Sequence, residues 1–321
     1  MVVSLTAVLC AGILAGDIQV QPVATFSIVA RNGATGELGV AVASRFFAVG
    51  NVVPWAKAGV GAVATQSYAN TTFGWRGLEY LESDINPDKT MELLIKGDDN
   101  PTRRQVGIVA ADGQSATYTG KECLDWAGGR NGPNYAIQGN ILAGEEVVAA
   151  MEKTFLETEG TLAARLYAAL LAGEEQGGDS RGKQSAAMLV VREKAGYGGY
   201  TDRAIDIRVD DHAEPFKELG RLLNIAEMNY AWNQAWTLFT EKKYDEALPP
   251  MERAVALAGD YGEVYYDLAV IRLAGGLIDE ALAALKKAIE LNPKLKKAAA
   301  TDDDLTALRE NELFKELIIS P

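Results

Sequence analysis

The chain has 321 residues, an apolar share of 48% and a net charge of -13, which is globular composition without the basic face that a nucleic-acid partner requires. It contains one histidine and two cysteines. That scarcity excludes a multi-histidine or cysteine-built zinc centre, and no metal or cofactor is expected.

Residues 1–15, MVVSLTAVLCAGILA, carry no charge. They are too short for a comfortable membrane-spanning helix and suit the apolar core of a secretory signal, although no Lys or Arg precedes them. Cuts after Ala15 and after Ala24 both fit, the second with Pro22 as an unfavourable neighbour. Leu9 before Cys10 speaks against a lipid anchor. The expectation is a leader over 1–24 and an exported protein, periplasmic or secreted, with no stable membrane anchor. Without a working leader the protein would be cytoplasmic.

From Thr25 the pattern is rich in strands. Residues 25–31 alternate, the GATG at 33–36 supplies a turn, and 38–43 resumes apolar strand character, which together predict a hairpin. A small-residue strand is predicted over 59–66 and a helix over 78–94, interrupted near Pro87. Strand, turn and strand follow at 105–110, 112–113 and 116–119. Helical periodicity marks 145–155 and 162–172, and the last strands fall at 185–192 and 204–209. Strands, two helices, then strands predict a layered α+β domain rather than a Rossmann order. GVGAVA at 59–64 mimics a dinucleotide fingerprint, but Asn70, Gly74 and Gly77 break up the segment where its helix should stand.

Near Asn224 strand signals end. YDEAL at 244–248 returns as IDEAL at 278–282, an offset of 278 − 244 = 34 residues that also carries Ala235 to Ala269, Ala254 to Ala288 and Leu257 to Leu291. This resembles the tetratricopeptide repeat, with paired helices burying small residues between them. Residues 304–317 read as a terminal helix over the last open face. The predicted division is a domain at 25–223 and a helical tail at 225–317. Two repeats are few for a free-standing solenoid, so the tail is expected to dock, to self-associate into a homo-oligomer or to hold a protein partner.

With histidine scarce, a serine triad would have to use His212, which reads instead as a strand-end residue between Asp211 and Pro215. A hydroxyl nucleophile that needs no histidine is an N-terminal threonine, whose α-amine, with a pKa of about 7.7–8.0, accepts the hydroxyl proton. Thr25 fits if the chain is cut before it; otherwise it is a strand threonine. Arg45 or Lys57 would keep that amine neutral by proximity of positive charge, Arg45 alternatively pairing with Asp179 and Lys57 alternatively ending a strand in solvent. Asn140 offers an amide to an oxyanion or caps a turn. Gln66 and Asn70 are candidates for binding a polar amide substrate. Cys123 is expected to be buried and inert.

Eight blocks in order resemble the DUF1028 family, bacterial and of unknown function: ATFSIVAR, GELGVAVASRF, VPWAKAGVGAVATQSYAN, QVGIVAADG, YTGKECLDWAG, YAIQGNILAG, GGDSRGKQSAAMLVV and DIRVDDH. The resemblance covers roughly residues 24–223. It implies the N-terminal nucleophile hydrolase-like superfamily, a four-layer αββα sandwich and hydrolysis of an amide or isopeptide bond in a small amide or peptide substrate. Asp179 and Ser185, in GGDSRGKQSAA, resemble the loop by which proteasome-type enzymes support their nucleophile. Asp179 would then orient the amine and Ser185 would hydrogen-bond to it. The rival expectation is a non-catalytic scaffold that recruits a partner through its tail.

Overall fold

The computed structural model describes residues 25–319. The expected leader and the cut positions within it lie outside the described residues.

Two antiparallel sheets lie face to face. The larger comprises β1 (Thr25–Arg31), β2 (Leu38–Ser44), β7 (Gly128–Gly132), β8 (Tyr135–Asn140), β9 (Ser185–Val191) and β10 (Arg203–Val209), in the order β10-β9-β2-β1-β8-β7. The smaller runs β3-β4-β5-β6, from β3 (Pro54–Lys57), β4 (Gly61–Ser67), β5 (Arg104–Ala110) and β6 (Ser115–Thr119). Alternation assigns the faces. Phe26, Ile28 and Ala30 turn outward into a core with α3 (Glu146–Glu157) and α4 (Leu162–Glu175), whereas Val29, Val40, Ala62 and Val109 meet between the sheets. On the far side, Val63, Val106 and Ile108 pack under α1 (Thr72–Glu82) and α2 (Pro87–Lys96). The layers therefore run helix, sheet, sheet, helix, an α+β fold.

Local chemistry accounts for the boundaries. Gly36 takes a φ of 74° in the β1–β2 turn, which Asn32 closes by donating its N–H to the Glu37 carbonyl at 2.9 Å. The helix expected over 78–94 divides because Asn86 caps α2, its Oδ1 accepting from the Lys89 N–H at 2.9 Å, with Pro87 in the first turn. Gly74 lets α1 lie directly on the Trp55 indole: a Cβ there would stand 2.2 Å from the ring.

Three strands went unforeseen. β3 begins with Pro54, which is tolerated because β3 is an edge. β7 is glycine-rich and polar, also at an edge, and β8 alternates apolar residues with Gln138 and Asn140, whose amides point between the sheets.

Helix α5 (Pro215–Thr240) runs without a break through the composition change at Asn224. Its first half gives Phe216, Leu219 and Leu223 to the sandwich, and its second half gives Met228, Ala231 and Ala235 to the tail core. The tail continues as α6 (Tyr244–Ala258), α7 (Gly262–Ala274), α8 (Ile278–Leu291), α9 (Leu295–Thr301) and α10 (Glu312–Ile319). The repeat-related alanines 235, 269, 254 and 288 are all fully buried, so the 34-residue spacing marks the small residues that let the paired helices approach. The helix expected over 304–317 splits into a 3-10 segment, Asp303–Leu308, and α10. Asn311 restarts the chain there, its Oδ1 accepting from the Leu313 and Phe314 N–H groups at 2.9 and 3.3 Å.

Candidate active site

Thr25 is the first residue of β1, and cross-strand register fixes its neighbours: Ser44 on β2, Asn140 on β8 and, beyond Ser44, Ser185 on β9. Residues opposed in this way stand with their Cβ atoms about 4.5–5.5 Å apart on one face. The result is one polar rung across four strands, buried throughout. The Thr25 hydroxyl donates to Ser44 Oγ at 3.2 Å, and the Thr25 carbonyl accepts from Gln66 Nε2 at 3.2 Å.

This end of the sheet is covered by the loop over 177–184. Gly177, Gly178 and Gly182 take positive φ values of 99°, 46° and 101°. The loop pairs with the segment after β8 through Ala143 N–H to the Gly178 carbonyl, 3.0 Å, and Ser180 N–H to the Ile141 carbonyl, 2.9 Å. Asp179 is thereby held at the rim. Its Oδ2 accepts from the Arg45 N–H at 2.9 Å and from Arg181 Nη2 at 2.8 Å, and its Oδ1 accepts from the Arg181 N–H and Nε, both at 3.0 Å.

Behind the rung, side-chain amides from both sheets interlock. The Ser27 hydroxyl donates to Gln66 Oε1 at 2.6 Å and accepts from Gln138 Nε2 at 2.6 Å. Gln105 is the hub. Its Oε1 accepts from Gln66 Nε2 at 2.9 Å and from Asn140 Nδ2 at 2.8 Å, while its own Nε2 donates to Thr119 Oγ1 and to the Gly128 and Gly139 carbonyls. Gly107 makes room, since a Cβ there would fall 2.0 Å from Gln138 Oε1. The hub also orients Asn140. With Nδ2 committed to Gln105, the amide presents its oxygen, and Asn140 Oδ1 is buried with no hydrogen-bond partner among the described residues. An orphaned buried acceptor costs about 1–3 kcal/mol.

Thr25, Arg45, Asn140, Asp179 and Ser185 thus gather at one end of the large sheet, with Gln66 directly beneath. Their geometry differs from the expected roles in four respects. Asn140 ends β8, and one of its two Nδ2 hydrogens goes to Gln105 while Oδ1 is left without a partner among the described residues, so the geometry favours an acceptor over the expected oxyanion donor. Ser185 Oγ donates to the Phe46 carbonyl at 2.5 Å and accepts from the Val49 N–H at 3.2 Å, which fixes the β2 exit. Arg45 meets Asp179 through its backbone, its guanidinium donating to the Arg181 carbonyl at 3.0 Å. Arg181 supplies the cation instead. Gln66 is fully buried and bonded within the amide network rather than open at the rim.

Two candidates stand elsewhere. Lys57 is opposite Gly61 at the start of β4, five residues from Gln66, or about 16 Å at strand spacing. There it pairs with Glu82 at 2.5 Å, both side chains half-exposed. Asn70 donates to Asp98 Oδ2 at 2.6 Å and caps the turn into α1 by accepting from the Thr72 N–H at 3.1 Å. Sequence reasoning passed over Ser27, Ser44, Gln105 and Gln138. Parity was the available signal, because each is a polar residue at an inward-facing strand position.

The remaining reactive groups are quiet. Cys123 is buried and burial pushes its thiol up. His212 Nδ1 accepts from the Glu214 N–H at 2.9 Å in the turn before α5. Among the described residues no cluster of His, Cys, Asp and Glu could hold a metal ion, and no helix is long and apolar enough to cross a membrane.

Comparison with known proteins fits this architecture. Residues 238–301 match the tetratricopeptide repeat. No curated protein matches the chain. A crystal structure of a protein from Silicibacter pomeroyi, described as belonging to DUF1028, is 30% identical with a TM-score of 0.58, covering 63% of this chain and 89% of that one. The model of the family of unknown function DUF1028 matches residues 25–219, beginning at the threonine that heads the polar rung. The chain belongs to the DUF1028 family.

Proposed function

We propose that the protein is an exported hydrolase in which cleavage of the Ala24–Thr25 bond frees Thr25 to attack an amide or isopeptide bond. One observation carries the reading: Thr25 opens β1 on a buried polar rung, beside an acceptor, Asn140 Oδ1, that has no donor among the described residues. That the family match also begins at residue 25 supports it.

In the processed chain the α-amine takes the proton of Thr25 Oγ1, and the oxygen attacks the substrate carbonyl carbon. Collapse of the tetrahedral adduct breaks the C–N bond, the proton passes to the leaving amine, and the acyl group remains as an ester on Thr25. Water, deprotonated by the same amine, then releases the acid. Asn140 Oδ1 accepts an N–H of the amine and so directs its lone pair toward Oγ1. Gln105 keeps the Asn140 amide in that sense, and the Asp179–Arg181 pair closes the rim above.

A second reading draws support from the complete burial of Thr25 in the uncut chain: a non-catalytic scaffold whose helical tail holds a protein partner. Intact mass and N-terminal sequencing of protein from the native host, fractionated by compartment, separate the two. A chain starting at Thr25 in the exported fraction is expected, with hydrolysis of an amide library lost in Thr25→Ala. A mature start at Met1 or Gly16 sinks the enzymatic reading.

A further inference from the structure

The β9–β10 connection, REKAGYGGYTD over 192–202, is a firmly built loop that exposes aromatic rings. It is closed by Arg192 N–H to the Asp202 carbonyl and Gly196 N–H to the Thr201 carbonyl, both at 2.8 Å, and by Lys194 N–H to Asp202 Oδ1 at 3.0 Å. Positive φ values at Gly198 and Gly199, 61° and 74°, coil its tip, and a side chain at Gly198 would meet the Tyr200 ring at 2.9 Å. Tyr197 and Tyr200 nonetheless stand 79% and 89% exposed. Across from them α5 presents Asn233, Trp236, Thr237 and Thr240, a stripe at helical spacing. Trp236 is fixed from behind by Phe239, ring centroids 4.8 Å apart, and Phe239 by Tyr244 at 5.6 Å.

Between loop and helix lies an open hollow of about 320 Å³. Asn233 and Thr237 also line a second of about 160 Å³, walled by Arg192, Lys194, Tyr230 and Glu241. Glu241 is joined to Lys243 at 2.7 Å, whereas neither Arg192 nor Lys194 has an ion-pair partner among the described residues. Arg192 lies over the Tyr230 ring at 5.5 Å, and the buried Tyr230 hydroxyl has no hydrogen-bond partner there.

We propose that this groove binds an extended, proline-rich peptide carrying acidic residues at the end that meets Arg192 and Lys194. Two open hollows that share Asn233 and Thr237 suit an extended chain rather than a compact ligand. Rigid aromatic faces suit proline rings, because polyproline segments arrive already ordered and leave their carbonyls unpaired. The Asn233 and Gln234 amides supply donors for those carbonyls. Two unpaired cations complement carboxylates, and a neutral sugar would leave them without a role. A nucleotide phosphate would lack a helix N-terminus, since α5 begins at Pro215, well before the groove. The site is independent of Thr25.

The test is calorimetric titration of the full chain with a blocked proline-alanine peptide ending in two glutamates, repeated with two lysines in their place. The acidic peptide is expected to bind, the basic one at least about tenfold more weakly. Tyr197→Ala and Tyr200→Ala, both at exposed positions and verified by unchanged melting, should each weaken binding about tenfold. No binding up to about 1 mM, binding indifferent to both tyrosines, or a tyrosine-dependent response to cellohexaose or adenosine monophosphate in place of the peptide would each overturn the proposal.

Discussion

Asp267 on α7 accepts from the Trp232 indole N–H on α5 at 2.7 Å. Burial pushes its carboxyl from 3.8 up to about 6, against the opposing pull of that hydrogen bond, and Asp302, Asp304 and Glu263 add to the rise. A carboxyl raised in the folded state favours folding while it is protonated. Its contribution is complete below 3.8 and is lost as pH climbs through about 6. Two units at 1.36 kcal/mol each set the loss at about 3 kcal/mol. Asp267→Asn keeps an oxygen for Trp232 and removes the charge. The variant's tail should therefore be more stable than the parent's by about 3 kcal/mol at pH 7.5, and the difference should shrink steadily to its low-pH baseline between pH 6 and 3.8. Urea unfolding followed by circular dichroism at a series of pH values measures this, because subtracting parent from variant cancels the titrating groups that do not interact with Asp267. A difference that is flat with pH would refute the reasoning and mean that the carboxylate is already well hydrated.

Gln66→Leu should cost about 3 kcal/mol, because the Ser27 hydroxyl loses its acceptor and the Thr25 and Gln138 carbonyls lose a donor, all in the interior. Scanning calorimetry should register a fall of roughly 6–12 °C in the sandwich transition. In a Cys10→Ser chain, Cys123 should stay unreactive toward a disulfide reagent at pH 7.5 and react stoichiometrically once urea unfolds the domain, since its thiol is buried and raised.

Strands and helices that obey one periodicity were legible in the chain, and the β1–β2 hairpin and the 34-residue repeat are the clearest cases. What escaped was governed by partners distant in sequence. β8 reads poorly because Gln138 and Asn140 interrupt its apolar alternation, yet both are interior: Ser27, 111 residues away, satisfies the first, and Gln105, 35 residues away, the second. Lys57 looked suitable because the sequence gives its charge but not its position along the sheet. Arg181 was missed for the converse reason. It neutralises Asp179 from two residues away, in a loop where the resemblance singled out Asp179 and Ser185 but not the arginine between them.

Those two placements decide what could tune an amine freed at Thr25. The nearest lysine candidate is remote, and the Asp179 carboxylate is already matched by Arg181. Asp179 and Arg181 thus cancel each other at the rim, and burial and neutral amides act on the amine within the rung. Burial lowers its pKa from about 7.7–8.0, while acceptance of an N–H by Asn140 Oδ1 favours the ammonium and works the other way. The balance lies with Gln105, because it holds the Asn140 amide by its nitrogen. A base poised near neutrality would here depend on the orientation of one amide, set by a glutamine on the opposite sheet, rather than on a neighbouring cation.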